Sequence, residues 1–341
     1  MSGTTTGKGI GFFSRLLDNT TPGERYALAA EQIRLAEDVG FDAAWVAQHH
    51  FHGSEGGLPS PLVFLAHVAA STSTIRLGTG IITLPLEDPL RVAEDAAVLD
   101  LLSGGRLEVG VGSGGTPSSF LAFGLDASAR HDVYNRHLQV LRDAWSGKTL
   151  GSAANQLYPA APQLLDRLWQ ATFSADGGRR AGEAGDGLML SRTQPRPPAR
   201  PDATLAQLQD PIVDAYLDAL PPGRTPRILA SRTLFVAQDR RQALRLAGQG
   251  LRRQVKAFER QGHVFTGTTV EELMTAFDAH VGTPADVVES LGRDTVLERA
   301  TDVSFQVHSI DPPHADILRS IELTAASVLP QLGWNHIPAA A

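Results

Sequence analysis

Cysteine is absent from the 341 residues. Without a thiol the chain has no disulfides, no thiolate nucleophile and no cysteine-type metal site. The same lack agrees with a reducing compartment, and a cytoplasmic location is expected. No uninterrupted apolar run approaches the ~20 residues of a membrane helix, so no span is predicted. The opening MSGTTTGKGIGFF has one Lys and no long apolar stretch, so no signal peptide is read there. Charge of one sign is nowhere concentrated. The net −7 is dispersed, and the basic pairs Arg240-Arg241 and Arg252-Arg253 sit among mixed charges, as on solvated helix faces. Nucleic acid therefore has no basic surface to bind. Signature motifs are missing too. There is no HExxH or other metal spacing, so no metal site is predicted. There is no GxSxG elbow for a hydrolase nucleophile, and no GxGxxG after the first strand for a dinucleotide fold.

What remains is an ordinary globular composition, 42% hydrophobic and 20% charged. Strand and helix patterns alternate along it. Strands are predicted at Gly9 to Phe13, Phe41 to Ala47, Ile75 to Leu84, Leu107 to Val111, Leu168 to Phe173, Gly187 to Leu190, Arg227 to Ala237 and Val303 to Val307. Helices are predicted at Pro22 to Val39, Pro59 to Ser71, Pro89 to Leu102, Arg130 to Trp145, Gly177 to Ala184, Leu205 to Leu220, Asp239 to Gln261, near Pro284 to Leu291, and His314 to Leu329. Residues 147–163 and 262–300 read as insertions, and the proline-rich 194–203 as a loop. Eight strands with intervening helices predict an α/β fold, a (β/α)8 TIM barrel with insertions after strands 4, 6 and 7. A doubly wound open sheet is the alternative. Residues 1–334 are expected to form one domain and 335–341 a C-terminal tail.

In such a barrel the loops after the strands build the active site, and the chain places chemistry there. FDAAWVAQHHF runs from a strand into His49 and His50. His is the side chain best suited to proton transfer near neutral pH, although a lone His is more often a packing residue. Thr79, Gly80 and Ile81 stand at the end of the third strand, where a Gly marks a bulge or a ligand's close approach. Ser113, Gly114 and Gly115 follow the fourth strand and offer bare backbone N–H groups, or a plain tight turn. Ser174, Ala175, Gly177 and Gly178 join the fifth strand to a helix, as an anion site at a helix start or a simple cap. His131, His137, His263, His280, His308 and His314 are scattered and read as bland.

With FDAAWVAQHHF, IRLGTGIITLPLEDPLRVAEDAAVLDLLSGGRLEVGVGSG and GDGLML in view, the chain resembles the bacterial luciferase-like flavin-dependent monooxygenases. The resemblance implies a (β/α)8 barrel binding reduced FMN, with a reduced deazaflavin in sister groups, and a separate flavin reductase that supplies the reduced cofactor transiently. It implies that His49 is the catalytic histidine beside the flavin ring, with His50 as its neighbour. Gly80 and Ile81 match a pair joined by a cis peptide against the ring. Ser113 and Gly115 match phosphate contacts, and Phe173, Ser174 and Gly177 the phosphate loop. Arg192 lies where another member places a ring-packing aromatic. Gln48 stands where many members have Glu, and Ser113 where the luciferase has an Arg. A small organic substrate and a homodimer, paired through residues 62–70 and 92–101, are expected. The alternatives are a deazaflavin-dependent oxidoreductase and a non-catalytic flavin-binding barrel.

Overall fold

The computed structural model describes residues 7–152, 154–197, 199–259 and 267–334. The expected tail, 335–341, and the expected helix end at Gln261 lie outside the described residues. Ten strands occur among them: β1 Gly9–Ser14, β2 Ala43–Val46, β3 Arg76–Thr79, β4 Ile82–Thr83, β5 Leu107–Gly112, β6 Leu168–Ala171, β7 Gly187–Leu190, β8 Ile228–Val236, β9 Ala279–Gly282 and β10 Asp302–Gln306. The sheet order is β10-β1-β2-β3-β5-β6-β7-β8-β9, and β10 also pairs β8. Eight of these strands thus close the (β/α)8 barrel that the alternation predicts, and the ladders β1–β10, β10–β8, β3–β5, β5–β6 and β6–β7 are parallel. Parallel strands under helices are buried on both faces. All six residues of β5 and all nine of β8 are buried accordingly.

Proline punctuates the helices. Pro22, Pro61, Pro89, Pro117 and Pro284 each stand in a first turn, where the missing N–H costs nothing and φ is already helical. Side-chain caps complete several starts. Asp88 accepts from the amides of Leu90 (2.8 Å) and Arg91 (3.3 Å). No helix among the described residues is long and apolar enough to cross a membrane.

The chain divides into two compact units. The first comprises the described residues of Met1–Ala44, Leu190–Pro211 and Ile228–Ala341. Here β10 pairs β8 with Ser304 opposite Ser231 and Gln306 opposite Thr233. Phe235, Ala247, Leu251, Leu273, Phe277, Val281 and Ile310 form an apolar cluster beneath the helix Arg240–Glu259. Arg232 is fully buried and bonds Asp294 through Nε (2.5 Å) and Nη2 (3.3 Å).

The second unit comprises Trp45–Met189 and Ile212–Arg227. Two tryptophans set its interior. Trp45 lies over Gly78 and Trp169 over Gly187, where an added Cβ would come within 2.2 Å of each ring. The two rings meet edge to face at 5.8 Å, a favourable aromatic geometry. Glu108 is buried against them, accepting from Trp169 Nε1 (2.7 Å) and Arg76 Nε (2.6 Å).

Several boundaries differ from expectation. The third strand is not continuous over Ile75 to Leu84. It breaks at Gly80–Ile81 into β3 and β4. The supposed insertion after the seventh strand hides β9, whose four residues are too few to show an alternation. Pro117–Ala122 is a short helix in a stretch to which no element was assigned. The helix after β6 starts at Ala175 rather than Gly177, because Ser174 is its cap. The last helix changes to a wider π turn at Thr324–Val328.

Candidate active site

Within the second unit, the loops that follow β2, β3, β5 and β6 carry most of the predicted site residues, and those strands are successive neighbours in the sheet. Gln48 opens the group. It is 7% exposed, and all three of its polar functions are used. Its Nε2 donates to Glu87 Oε1 (2.6 Å) and to the Pro59 carbonyl (3.1 Å), while its Oε1 accepts from the Thr83 amide (2.7 Å). Gln48 thereby ties the His-bearing strand end to β4, just past Gly80–Ile81. Burial raises the Glu87 carboxyl above its usual pKa, partly opposed by the Gln48 bond.

His49 is held by backbone and by glycine. Its amide donates to the Leu58 carbonyl (2.9 Å). Its side chain lies against Gly56, where an added Cβ would stand 2.3 Å from Cδ2 and 2.9 Å from the histidine's own Cβ. A larger residue there would displace the whole side chain, so Gly56 fixes where the imidazole lies. His50 sits among aromatics, edge-on to Phe123 (5.0 Å) and tilted to Phe51 (5.9 Å). Burial lowers its pKa and so favours the neutral ring. Its Nε2 is buried with no partner among the described residues.

Thr79 is already committed. Its hydroxyl donates to the Gly110 carbonyl (2.8 Å) and accepts from the Gly110 amide (2.9 Å), which binds β3 to β5. The Gly80–Ile81 peptide is cis, as the resemblance implies. The Gly80 amide donates to the Val46 carbonyl (2.8 Å). Beyond β5, Gly114 takes φ +73 against Thr83, while a Cβ at Gly115 would meet nothing within 4 Å. Backbone at Gly115 therefore faces open space.

After β6, Ser174 caps the helix Ala175–Glu183 by accepting from the Gly177 amide (3.2 Å). The Gly178 amide is taken by the Ser174 carbonyl (3.0 Å). Both glycines also have packing reasons: a Cβ would strike Thr172 at Gly177 and the Ile212 carbonyl at Gly178. The amides of Ala175 and Asp176 have no acceptor within the helix, because first-turn donors have none, and they are the ones left for an anion. Phe173 is half exposed beside them.

Arg192 belongs to the first unit. It is 8% exposed and donates from Nη1 to the hydroxyls of Thr233 (3.3 Å) and Ser309 (3.2 Å). Among the described residues it forms no ion pair. Burial, reinforced by Arg15, lowers its pKa to about 9. Also in this unit, His308 bonds Asp311 (2.9 Å). Sequence reasoning passed over both His308 and the Gln48–Glu87 link. The first looked like one scattered His, and the second joins residues 39 positions apart. No group of three or more acidic or histidine residues suited to a metal occurs among the described residues.

The pattern of the luciferase-like monooxygenase family matches residues 9–296, and the chain belongs to that family. It is similar to 4-hydroxyprotoasukamycin monooxygenase of Streptomyces nodosus subsp. asukaensis, 32% identical over 62% of this chain and 60% of that one. It is similar to the oxygenase component of the flavin-dependent trigonelline monooxygenase of Acinetobacter baylyi, 28% identical over 45% and 44%. The chain spans about half the length of the curated relatives it matches. Among solved structures, the oxygenating constituent of 3,6-diketocamphane monooxygenase from Pseudomonas putida, in complex with FMN, gives a TM-score of 0.75 at 19% identity over 95% of this chain and 98% of that one. An F420-dependent secondary alcohol dehydrogenase gives 0.68 at 18% over 96% and 99%. Those two share the fold.

One prediction arises at Gln48. Gln48→Glu would set a second carboxylate within hydrogen-bonding distance of Glu87, now 2.6 Å away. The two acids would then have to share a proton, and the Thr83 and Pro59 contacts would suffer. A loss of roughly 1–3 kcal/mol in stability is expected, the scale for a disturbed buried hydrogen bond. The double change Gln48→Glu with Glu87→Gln restores one amide and one carboxylate and should recover most of it. Urea midpoints measure both; equal losses in the single and double variants would show that the contact does not matter.

Proposed function

We propose that this protein is an FMN-dependent monooxygenase that uses reduced flavin and oxygen on a small organic substrate. The observation that carries this reading is the setting of His49, its side chain against Gly56 at the end of β2, where its neighbour Gln48 bonds Thr83 just past the cis Gly80–Ile81 peptide. Family membership supports it.

The residues fit the cofactor. Gly115 exposes backbone to open space, and the amides of Ala175 and Asp176 stand at a helix N-terminus, where an anion is favoured. Thr79, Gly80 and Ile81 would lie along the flavin ring. Ser113, Gly114 and Gly115 with Phe173, Ser174, Ala175, Gly177 and Gly178 would surround the phosphate. When bound, reduced flavin supplies the electrons that activate oxygen. His49 would hold or move one proton at its imidazole, with His50 as its neighbour. A separate reductase would deliver the reduced flavin, and the protein would work in the cytoplasm.

We also read it as a homodimer. Helices Pro61–Ala69 and Pro89–Leu102 border a groove of about 400 Å³, lined by Val63, Val98 and Leu102, which are exposed. Exposed apolar surface of this kind marks association sites.

An anaerobic titration of the protein with reduced FMN and, separately, with reduced deazaflavin tests the cofactor, and light scattering on the same sample gives the mass. Tighter binding of FMN, oxygen uptake that depends on substrate, and a mass of two chains are expected. A preference for deazaflavin would turn the reading to hydride transfer without oxygen. Flavin binding with no substrate-dependent oxygen uptake would make the barrel a flavin carrier, and a monomer at micromolar concentration would remove the dimer.

A further inference from the structure

The first unit contains a second set of polar groups that the reading above does not use. It lies where β1 and β10 end, the side of a barrel that carries chemistry. A cavity of about 20 Å³ opens there among Ser14, Arg15, Asp18, Gln306, His308 and Asp311. Such a volume admits one oxygen-sized group. The oxygen end of a ligand fits it, and a carbon frame does not.

Two acceptors on residues lining this niche have no donor among the described residues. Gln306 ends β10, and His308 stands in the turn just beyond it. Gln306 is 4% exposed, and its Nε2 donates to Ser231 Oγ (3.0 Å). His308 is also 4% exposed, and its Nδ1 faces the Asp311 carboxylate at 2.9 and 3.1 Å. A carboxylate can only accept, so Nδ1 carries the hydrogen and Nε2 is left as an acceptor. Gln306 Oε1 and His308 Nε2 are both buried without a partner among the described residues. Buried polar atoms ordinarily have partners.

The charges around the niche decide which donor suits it. Arg15 lines it, and both Arg15 and Arg192 oppose protonation of His308, although burial is the larger cause; its pKa falls to about 4. These two cations disfavour an ammonium donor. Of the acids, Asp311 is engaged by His308. Asp18 accepts from Gln32 Nε2 (3.3 and 3.4 Å) and faces His314 (3.7 Å). Arg192 hydrogen-bonds the hydroxyls of Thr233 and Ser309 and forms no ion pair among the described residues, although the Asp311 and Asp278 charges act on it.

We propose that His308, backed by Asp311, is a hydrogen-bonding site for an acidic hydroxyl, a phenol or an enol, on the substrate. This rests on the monooxygenase reading and narrows its substrate class. The ligand O–H would donate to His308 Nε2. Asp311 keeps the hydrogen on Nδ1, and burial with the Arg15 and Arg192 charges keeps the ring neutral, so Nε2 stays an acceptor. Accepting from the hydroxyl draws electron density onto its oxygen and so into an attached aromatic or enolic carbon.

The test is an equilibrium one and uses no flavin. Para-nitrophenol is titrated into the protein at a pH below its own pKa, with its methyl ether as a control lacking the proton. Wild type is expected to bind the phenol at least tenfold tighter than the ether. His308→Leu should abolish that preference, and Asp311→Asn should reduce it while leaving some binding. The Asp311 variant, at the surface side of the pair, keeps the test decisive if His308→Leu does not fold. Equal binding of phenol and ether by wild type, or an undiminished preference in Asp311→Asn, overturns the proposal. FMN affinity of the same variants reads separately. Unchanged FMN binding with a lost preference supports the site, whereas absent FMN binding in wild type would sink the cofactor reading and leave this result standing.

Discussion

His49→Asn is expected to lower substrate-coupled turnover about a hundredfold or more, the usual scale of general acid–base assistance. FMN affinity should stay near that of wild type, because the proposed phosphate contacts come from the loops after β5 and β6. Oxygen uptake should persist in part but yield free hydrogen peroxide instead of product. Gln48 beside it is neutral and bonded to Glu87, Pro59 and Thr83, so it brings no charge to the proposed site. Gly56→Ala should reproduce the effect without removing the imidazole, since the added Cβ overlaps the histidine side chain. Parallel measurement of oxygen consumed, peroxide formed and product formed separates these quantities. Unchanged coupling in His49→Asn would make His49 structural and shift the proton role to His50.

The largest stability effect is expected at Arg232. Asp294→Ala leaves its buried guanidinium with the Ser231 carbonyl (2.8 Å) and Gln209 Oε1 (3.1 Å) but no hydrogen-bonded carboxylate among the described residues. Breaking such a pair from one side costs about 3–5 kcal/mol. Replacing both partners with apolar residues of similar size should cost far less, because no charge is then stranded. Urea midpoints of the two variants check this, and similar losses in both would refute it. The pair also responds to pH. Burial works against ionisation of Asp294, but the Arg232 charge and hydrogen bond outweigh it and hold its pKa below the ordinary carboxylate value. Its contribution is present above the unfolded value, roughly pH 4, and is lost as pH falls through the lower folded value. His280 and His308 act sooner. Burial, the first cause in each, lowers both to about 4. Between the unfolded value, about pH 6.5, and 4, the unfolded chain binds protons that the native one does not, so stability falls as acid is added. Melting temperatures that stay flat from pH 7 to about pH 4 would contradict this.

Much of the fold was legible because local rules govern it. Proline at Pro22, Pro89 and Pro284 and the glycines after Leu102 marked helix ends. The doubly buried strands read as short apolar runs. The His49–His50 pair stood out because a strand pattern leads directly into it. The residues that fix those side chains were not legible. Gly56 looked like one glycine of a loop, and only the folded chain shows His49 lying on it. Ser174, Gly177 and Gly178 could be read as an anion site, yet the fold uses much of their bonding in a cap and in contacts with Thr172 and Ile212. β9 was missed because four residues carry no period.

The alternation of strands and helices, the barrel class and the strand-end loops are readable from the chain, since these follow from hydrophobic periodicity and the backbone preferences of Pro and Gly over neighbouring residues. The folded chain alone shows that Gln48 meets Glu87, that Arg232 meets Asp294 and that His308 Nε2 and Gln306 Oε1 are buried without donors among the described residues. Hydrogen bonding and burial depend on which distant residues share a few ångströms of space, and separation along the chain does not encode that.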